Sequence, residues 1–130
     1  MNVAKGTFEV KTSPLPSDEQ IDSKILGRFS IHKEFSGDMV GVGNGQMLTG
    51  MGIVEGSAGY VAMDNITAKL EGKEGSFILQ HTGTMSHGIQ ELVIKVVPDS
   101  GNGELQGING AFKIAMENGK HYYEFEYSFS

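Results

Sequence analysis

The closing stretch of the chain reads Ala111-Phe-Lys-Ile-Ala-Met-Glu117, then Asn118-Gly119, then Lys120-His-Tyr-Tyr-Glu-Phe-Glu-Tyr-Ser-Phe129. On both sides of Asn118-Gly119 the side chains alternate with a period of two. Ile108, Phe112, Ile114 and Met116 share one face before the turn; after it, His121, Tyr123, Phe125, Tyr127 and Phe129 stack opposite Tyr122, Glu124 and Glu126. Alternation of this kind marks a half-buried strand. Asn-Gly suits a two-residue hairpin because both residues tolerate the positive φ of a type I′ turn. The chain therefore ends in an antiparallel hairpin of two strands, Glu104 to Glu117 and Lys120 to Phe129.

The same period runs backwards through the sequence. Leu92, Ile94 and Val96 form a sixth strand, cut from the seventh by the loop Pro98-Asp-Ser-Gly-Asn-Gly103. Phe77, Leu79 and His81 align on a fifth strand, Ser76 to Met85, which leads into the loop Ser86-His87-Gly88. Gly59 to Glu71 makes a fourth strand, with Tyr60, Ala62, Asp64, Ile66, Ala68 and Leu70 on one side. A third strand, Met39 to Gly52, carries five glycines. The second, from about Lys24 to Phe35, aligns Phe29, Ile31 and Phe35, and Lys33 shares that apolar face. The first, Gly6 to Thr12, pairs Phe8 with Val10 and ends at the proline-broken segment Ser13 to Asp18. Only Asp18 to Leu26 offers even a weak helical pattern.

Composition agrees with this reading. Nineteen glycines in 130 residues are about twice the usual ~7%, and with three prolines they punctuate β-rich runs rather than mark disorder. Eight strands with short connections imply sequential antiparallel neighbours. Closure removes the two long edges that an open sheet would expose. The expected fold is all-β, a closed eight-stranded antiparallel meander barrel formed by one domain over residues 1–130. A two-sheet sandwich is the structural alternative.

Four segments, Gly37-Asp-Met-Val-Gly41, Gly59-Tyr-Val-Ala62, Gly75-Ser-Phe-Ile-Leu-Gln-His81 and Ser100-Gly-Asn-Gly-Glu-Leu-Gln-Gly107, together with His121 to Tyr127, resemble a family of small bacterial proteins known as domain of unknown function 3224. The resemblance covers nearly the whole chain. It implies a barrel similar to that of allene oxide cyclase, a fold that includes a fatty-acid-derived epoxide cyclase. It implies no activity, since fold analogy alone does not carry function.

Several function classes are excluded. Without cysteine there are no disulfides, thiolate metal sites or cysteine nucleophiles, which fits a reducing, cytoplasmic setting. A net charge of −6 with scattered basic residues makes nucleic acid a poor partner. No apolar run reaches the length of a membrane helix, and Met1 to Val10 lacks the apolar core of a signal peptide. His81 and His87 lack the further ligands of a metal site. Gly41-Val-Gly43-Asn-Gly45 has no following helix to aim at a phosphate, and the Asp99 loop lacks calcium-ligand spacing. Ser57 is not in a nucleophile elbow, and the glycosylation pattern at Asn65-Ile-Thr67 is irrelevant in the cytoplasm. No cofactor is implied.

In a meander the connections alternate between the two mouths of the barrel. The loops at 13–23, 53–58, 86–88 and 118–119 share one mouth; those at 36–38, 72–75 and 98–103 share the other. Tyr60, Asp64, His81 and Tyr123 all lie on the inward parity of their strands, and position along the strand puts them toward the first mouth, with the 13–23 loop covering it. A polar group facing an apolar interior costs a few kcal/mol unless partnered. Two readings account for four of them together: a small-ligand pocket anchored on His81, or an internal hydrogen-bonded network. Three functions follow as expectations. The first is binding of a small, largely apolar molecule. The second is an acid/base isomerase or cyclase acting in the same cavity, and the third a structural or oligomer-forming protein with a filled barrel. The sequence leaves a homo-oligomer open.

Overall fold

The computed structural model describes residues 1–130 and consists of strands and turns throughout. The strands are β1 (Asn2–Pro14), β2 (Leu26–Gly37), β3 (Met39–Met51), β4 (Ala58–Leu70), β5 (Lys73–Ser86), β6 (Ile89–Val96), a two-residue β7 (Asn102–Gly103), β8 (Ile108–Glu117) and β9 (Lys120–Phe129). Each long strand pairs antiparallel with its sequence neighbour, and β9 returns to β1. With β4 joined to β5 the ring of eight is complete. The expected closed barrel is present, not the sandwich. No helix exists, so none is long and apolar enough to cross a membrane; Asp18 to Leu26 forms turns instead.

Three hairpins turn on a residue with positive φ followed by glycine: Glu71-Gly72, His87-Gly88 and Asn118-Gly119. Both central residues of a type I′ turn need that conformation, so these dipeptides fix the register of β4–β5, β5–β6 and β8–β9. Two strand starts differ by four residues from the sequence reading, and the fifth strand begins at Lys73 rather than Ser76. The first strand begins at Asn2 rather than Gly6, since it gains partners along β9 from Asn2↔Tyr127 onward. The strand expected from Glu104 starts at Ile108, because Glu104 to Gly107 is a turn that buries Leu105 completely.

The inside of the barrel is divided. Toward the mouth formed by the β2–β3 and β4–β5 turns and the segment 97–107, aromatic rings fill it: Phe112 stacks on Phe125 at 4.3 Å, Phe77 on Phe125 at 5.5 Å, and Tyr123 meets Phe35 edge-on at 5.7 Å. Leu105 plugs this end. Of the aromatics on the inward parity of β9, Tyr123, Phe125 and Tyr127 are buried, whereas Phe129 at the strand end is exposed. The opposite half is open.

One wall is also incomplete. β6 and β8 pair only at Ile94↔Phe112 and Lys95↔Ala111, whereas β8 and β9 pair along ten positions. Beyond those two pairs the strands continue toward the open mouth without bridging, and a seam separates Ile89 to Val93 from Lys113 to Glu117.

Candidate functional site

The open half begins where the aromatic packing ends. Along β4 the inward residues run Leu70, Ala68, Ile66, Asp64, Ala62 and Tyr60 toward the mouth. Asp64 is the first polar one, and it is 0% exposed. Its position is prepared by Gly45 on β3, the residue paired with it. A Cβ at Gly45 would collide with the Met63 carbonyl oxygen and stand 2.5 Å from Asp64 Oδ1. Only glycine lets the two strands close around that carboxylate.

Asp64 Oδ2 accepts two hydrogen bonds, from Lys33 Nζ at 2.7 Å and from His81 Nε2 at 2.8 Å. Lys33 comes from β2 and is 6% exposed; His81 comes from β5 and is 4% exposed. Asp64 Oδ1 is enclosed without a partner. Burial by itself pushes the Asp64 carboxyl up, but the His81 hydrogen bond and the Lys33 ammonium together overcome it, holding the group below the ordinary carboxylate value. The carboxylate is therefore ionised at neutral pH. Lys33 also lies 5.7 Å from the centre of the Phe8 ring, a favourable place for a cation.

Above this cluster is a cavity of about 310 Å³, lined on its apolar side by Phe8, Ile31, Met47, Leu92, Ile114 and others, and on its polar side by Lys33, Tyr60, His81, Gln90 and His121. It shares Thr12, Met47, Tyr60 and Gln90 with a second space of about 420 Å³ at the mouth, bounded by Phe29, Met51 and Met85. Gln90 and Leu92 on one side and Ile114 and Met116 on the other flank the seam between β6 and β8. The Tyr60 ring lies over Gly83, where any Cβ would strike it. Burial, and then the charge of Asp64, raise the Tyr60 phenol above its usual value, so it remains a hydroxyl donor.

Of the four residues singled out by parity, Tyr60, Asp64 and His81 come together here. Tyr123 does not. It is buried and points inward, yet its hydroxyl donates to Ser36 O at 2.9 Å and accepts from Met39 N at 3.0 Å, both at the opposite mouth. The cause is strand stagger: β9 starts level with Phe8 (Phe8↔His121) and runs away from the open end. Tyr123 is a structural tie. None of residues 13–23, expected to cover the opening, lines either space. Arg28, on the outward face of β2, donates to the Pro16 carbonyl at 3.2 Å, and Leu15 N donates to Arg28 O; the segment follows the rim. Lys33, Gln90 and His121 were polar lining residues missed. All three carry inward parity, and an inward lysine beside an inward aspartate on a nearby strand was the available signal for the first. His87 sits exposed at the β5–β6 turn, away from His81, and no three His, Asp or Glu side chains are grouped to hold a metal.

A family model described as "Protein of unknown function (DUF3224)" matches residues 4–127. A crystal structure of a protein with unknown function from that family, from Shewanella oneidensis MR-1, is 43% identical, with a TM-score of 0.94 over 100% of this chain and 98% of the other. No curated protein matches.

Proposed function

The chain belongs to the DUF3224 family, and we propose that its barrel binds a small, largely apolar molecule in the open half. One observation carries the reading. A lysine and a histidine, held by an aspartate and all three at most 6% exposed, lie at the floor of a largely apolar cavity instead of being replaced by more aromatic packing of the kind directly below. Burying ions costs several kcal/mol each before their attraction is counted, and well-packed apolar residues do as well or better for stability. A cavity with apolar walls and a few convergent polar groups is the usual form of a small-ligand site. A purely structural role would be served by a barrel filled throughout, and the cavity of about 310 Å³ in the open half supports the binding reading instead.

The test is native mass spectrometry of protein purified from its own host, with release and identification of any bound molecule. It is paired with titration of a solvatochromic apolar probe. The reading expects a saturable, one-to-one fluorescence increase, reversed by a bulky residue at the cavity wall. Absence of both a carried ligand and saturable probe binding would remove it.

A second reading, acid/base catalysis in the same cavity, is favoured by the Asp64–His81 contact. A carboxylate bonded to one ring nitrogen orients an imidazole and leaves the other nitrogen for chemistry. Tyr60 supports either reading as a donor in the wall.

A further inference from the structure

Both Lys33 Nζ and His81 Nε2 are held by a single oxygen, Asp64 Oδ2. An ionised carboxylate can only accept, so the His81 proton in that bond resides on Nε2. In the neutral ring Nδ1 then carries a lone pair. It makes no hydrogen bond within the protein, and Asp64 Oδ1 is the one fully enclosed side-chain polar atom without a partner. The ring lines the cavity, as Lys33 does. Lys33 uses one of its three N–H donors on Asp64, and no other hydrogen bond occupies the remaining two. A strong donor and a base therefore share one floor: Lys33 Nζ and His81 Nε2 each lie one hydrogen bond from Asp64 Oδ2, and the basic nitrogen is the other one of that imidazole ring. Their charges matter too: Lys33 is balanced by Asp64, so the floor accommodates a neutral polar head better than a second carboxylate.

We infer that this site moves a proton at the carbon next to a carbonyl, in a small, neutral, largely apolar ketone. The inference rests on the cavity reading above and gives it a substrate class. The ketone oxygen accepts from Lys33, with Tyr60 a further donor from the wall. His81 Nδ1 takes a proton from the α-carbon; the C–H electron pair becomes a C=C bond and the carbonyl π pair moves onto oxygen, where Lys33 stabilises it. The imidazolium returns the proton to the same carbon. In a β,γ-unsaturated ketone it returns it to the γ-carbon, and the double bond moves into conjugation. Nothing is oxidised or reduced, and no co-reactant is consumed. A positioned base of this kind contributes about 10²–10⁴-fold, and stabilisation of the developing oxyanion adds to it.

The probe is methyl pentyl ketone in heavy water at neutral pH, with loss of its α-proton signals followed by NMR. The open mouth lets His81 exchange its captured proton with solvent, so turnover appears as deuterium incorporation. The wild-type protein is expected to accelerate exchange at least tenfold over matched buffer. His81→Gln, which keeps an amide N–H for Asp64 but has no basic nitrogen, is expected to return the rate to that of buffer while the ketone still displaces the apolar probe. Asp64→Asn, which releases the ring from its fixed tautomer, lowers the rate by an independent route and serves if His81→Gln does not fold. Ketone that binds without faster exchange, ketone that does not bind, or equal rates in wild type and the folded variant each overturn the inference. The binding reading stands through all three as long as the solvatochromic probe still enters, and falls separately if it does not.

Discussion

Asp64 remains charged where no water reaches it, because two cations or donors converge on one of its oxygens. Removing one of them exposes the cost. Lys33→Met leaves a buried carboxylate with a single partner, and breaking a buried pair in this way costs about 3–5 kcal/mol; urea unfolding at neutral pH measures it, and a loss below about 1 kcal/mol would mean that Lys33 is not paired in solution. The same carboxylate gives the protein an acid limit. Its folded value lies below the ordinary 3.8, so its stabilising contribution is complete above that pH and disappears as pH falls through the depressed value. Asp64→Asn, which does not titrate, should therefore lose less of its melting temperature than the wild type between about pH 7 and pH 3; equal losses would show that the group is not held ionised. Much of this site was legible. Inward parity and an apolar face are enough to bring Tyr60, Asp64 and His81 together. What parity could not decide was depth, since a one-dimensional pattern carries no stagger, and Tyr123 went to the wrong mouth for that reason. Lys33 was visible on its apolar face, but lysine so often reaches outward along such a face that its inward pairing needed coordinates.

At the scale of elements, strand number, order and turns could be read because each rests on local chemistry: a period of two, and dipeptides that accept positive φ. The seam between β6 and β8 could not. Neither Ile89 to Ile94 nor Phe112 to Glu117 contains glycine or proline, so nothing in composition announces that pairing stops after two residues. The short β7, which pairs only at Gly75↔Gly103 and Ser76↔Asn102, is equally silent, being a product of the 97–107 segment folding over the plugged end. The seam has a measurable consequence. In an antiparallel strand successive residues direct their N–H groups to opposite neighbours. Alternate amides of Ile89 to Val93 and of Lys113 to Glu117 therefore face the gap, while their neighbours bond to β5 and β9. Hydrogen exchange should be bimodal there, with the gap-facing amides at least a hundredfold faster than those in the β4–β5 ladder, which is bonded along its whole length. Uniform protection across both strands would mean that the wall zips shut in solution.

The whole molecule combines two constructions in one ring of strands: an aromatic plug that supplies core stability, and a hollow that contributes little to it. Substitutions in the two halves should then have opposite signs. Phe125 is fully buried among Phe77, Phe112 and Tyr127, and Phe125→Ala leaves a cavity that its rigid neighbours cannot fill, at a cost of about 3–5 kcal/mol. Ala62 also faces inward, opposite His81 across the β4–β5 ladder, but it lines the 310 Å³ space. Ala62→Leu places added methylenes against Ile31, Met47 and Leu92 instead of into occupied volume. Each buried methylene is worth about 0.8 kcal/mol, so the variant should be as stable as the wild type or more stable by about 1–2 kcal/mol, with binding of the apolar probe abolished. Denaturant unfolding and probe titration on the same samples decide it. Overpacking a filled interior costs about 1–3 kcal/mol, so an Ala62→Leu protein destabilised to that extent would show that the upper barrel has no room to give. Probe binding that survived the substitution would place the probe elsewhere. A gain in stability joined to a loss of binding is the signature of a hollow kept open at the expense of the fold, and it separates a cavity held for a ligand from one that packing merely failed to fill.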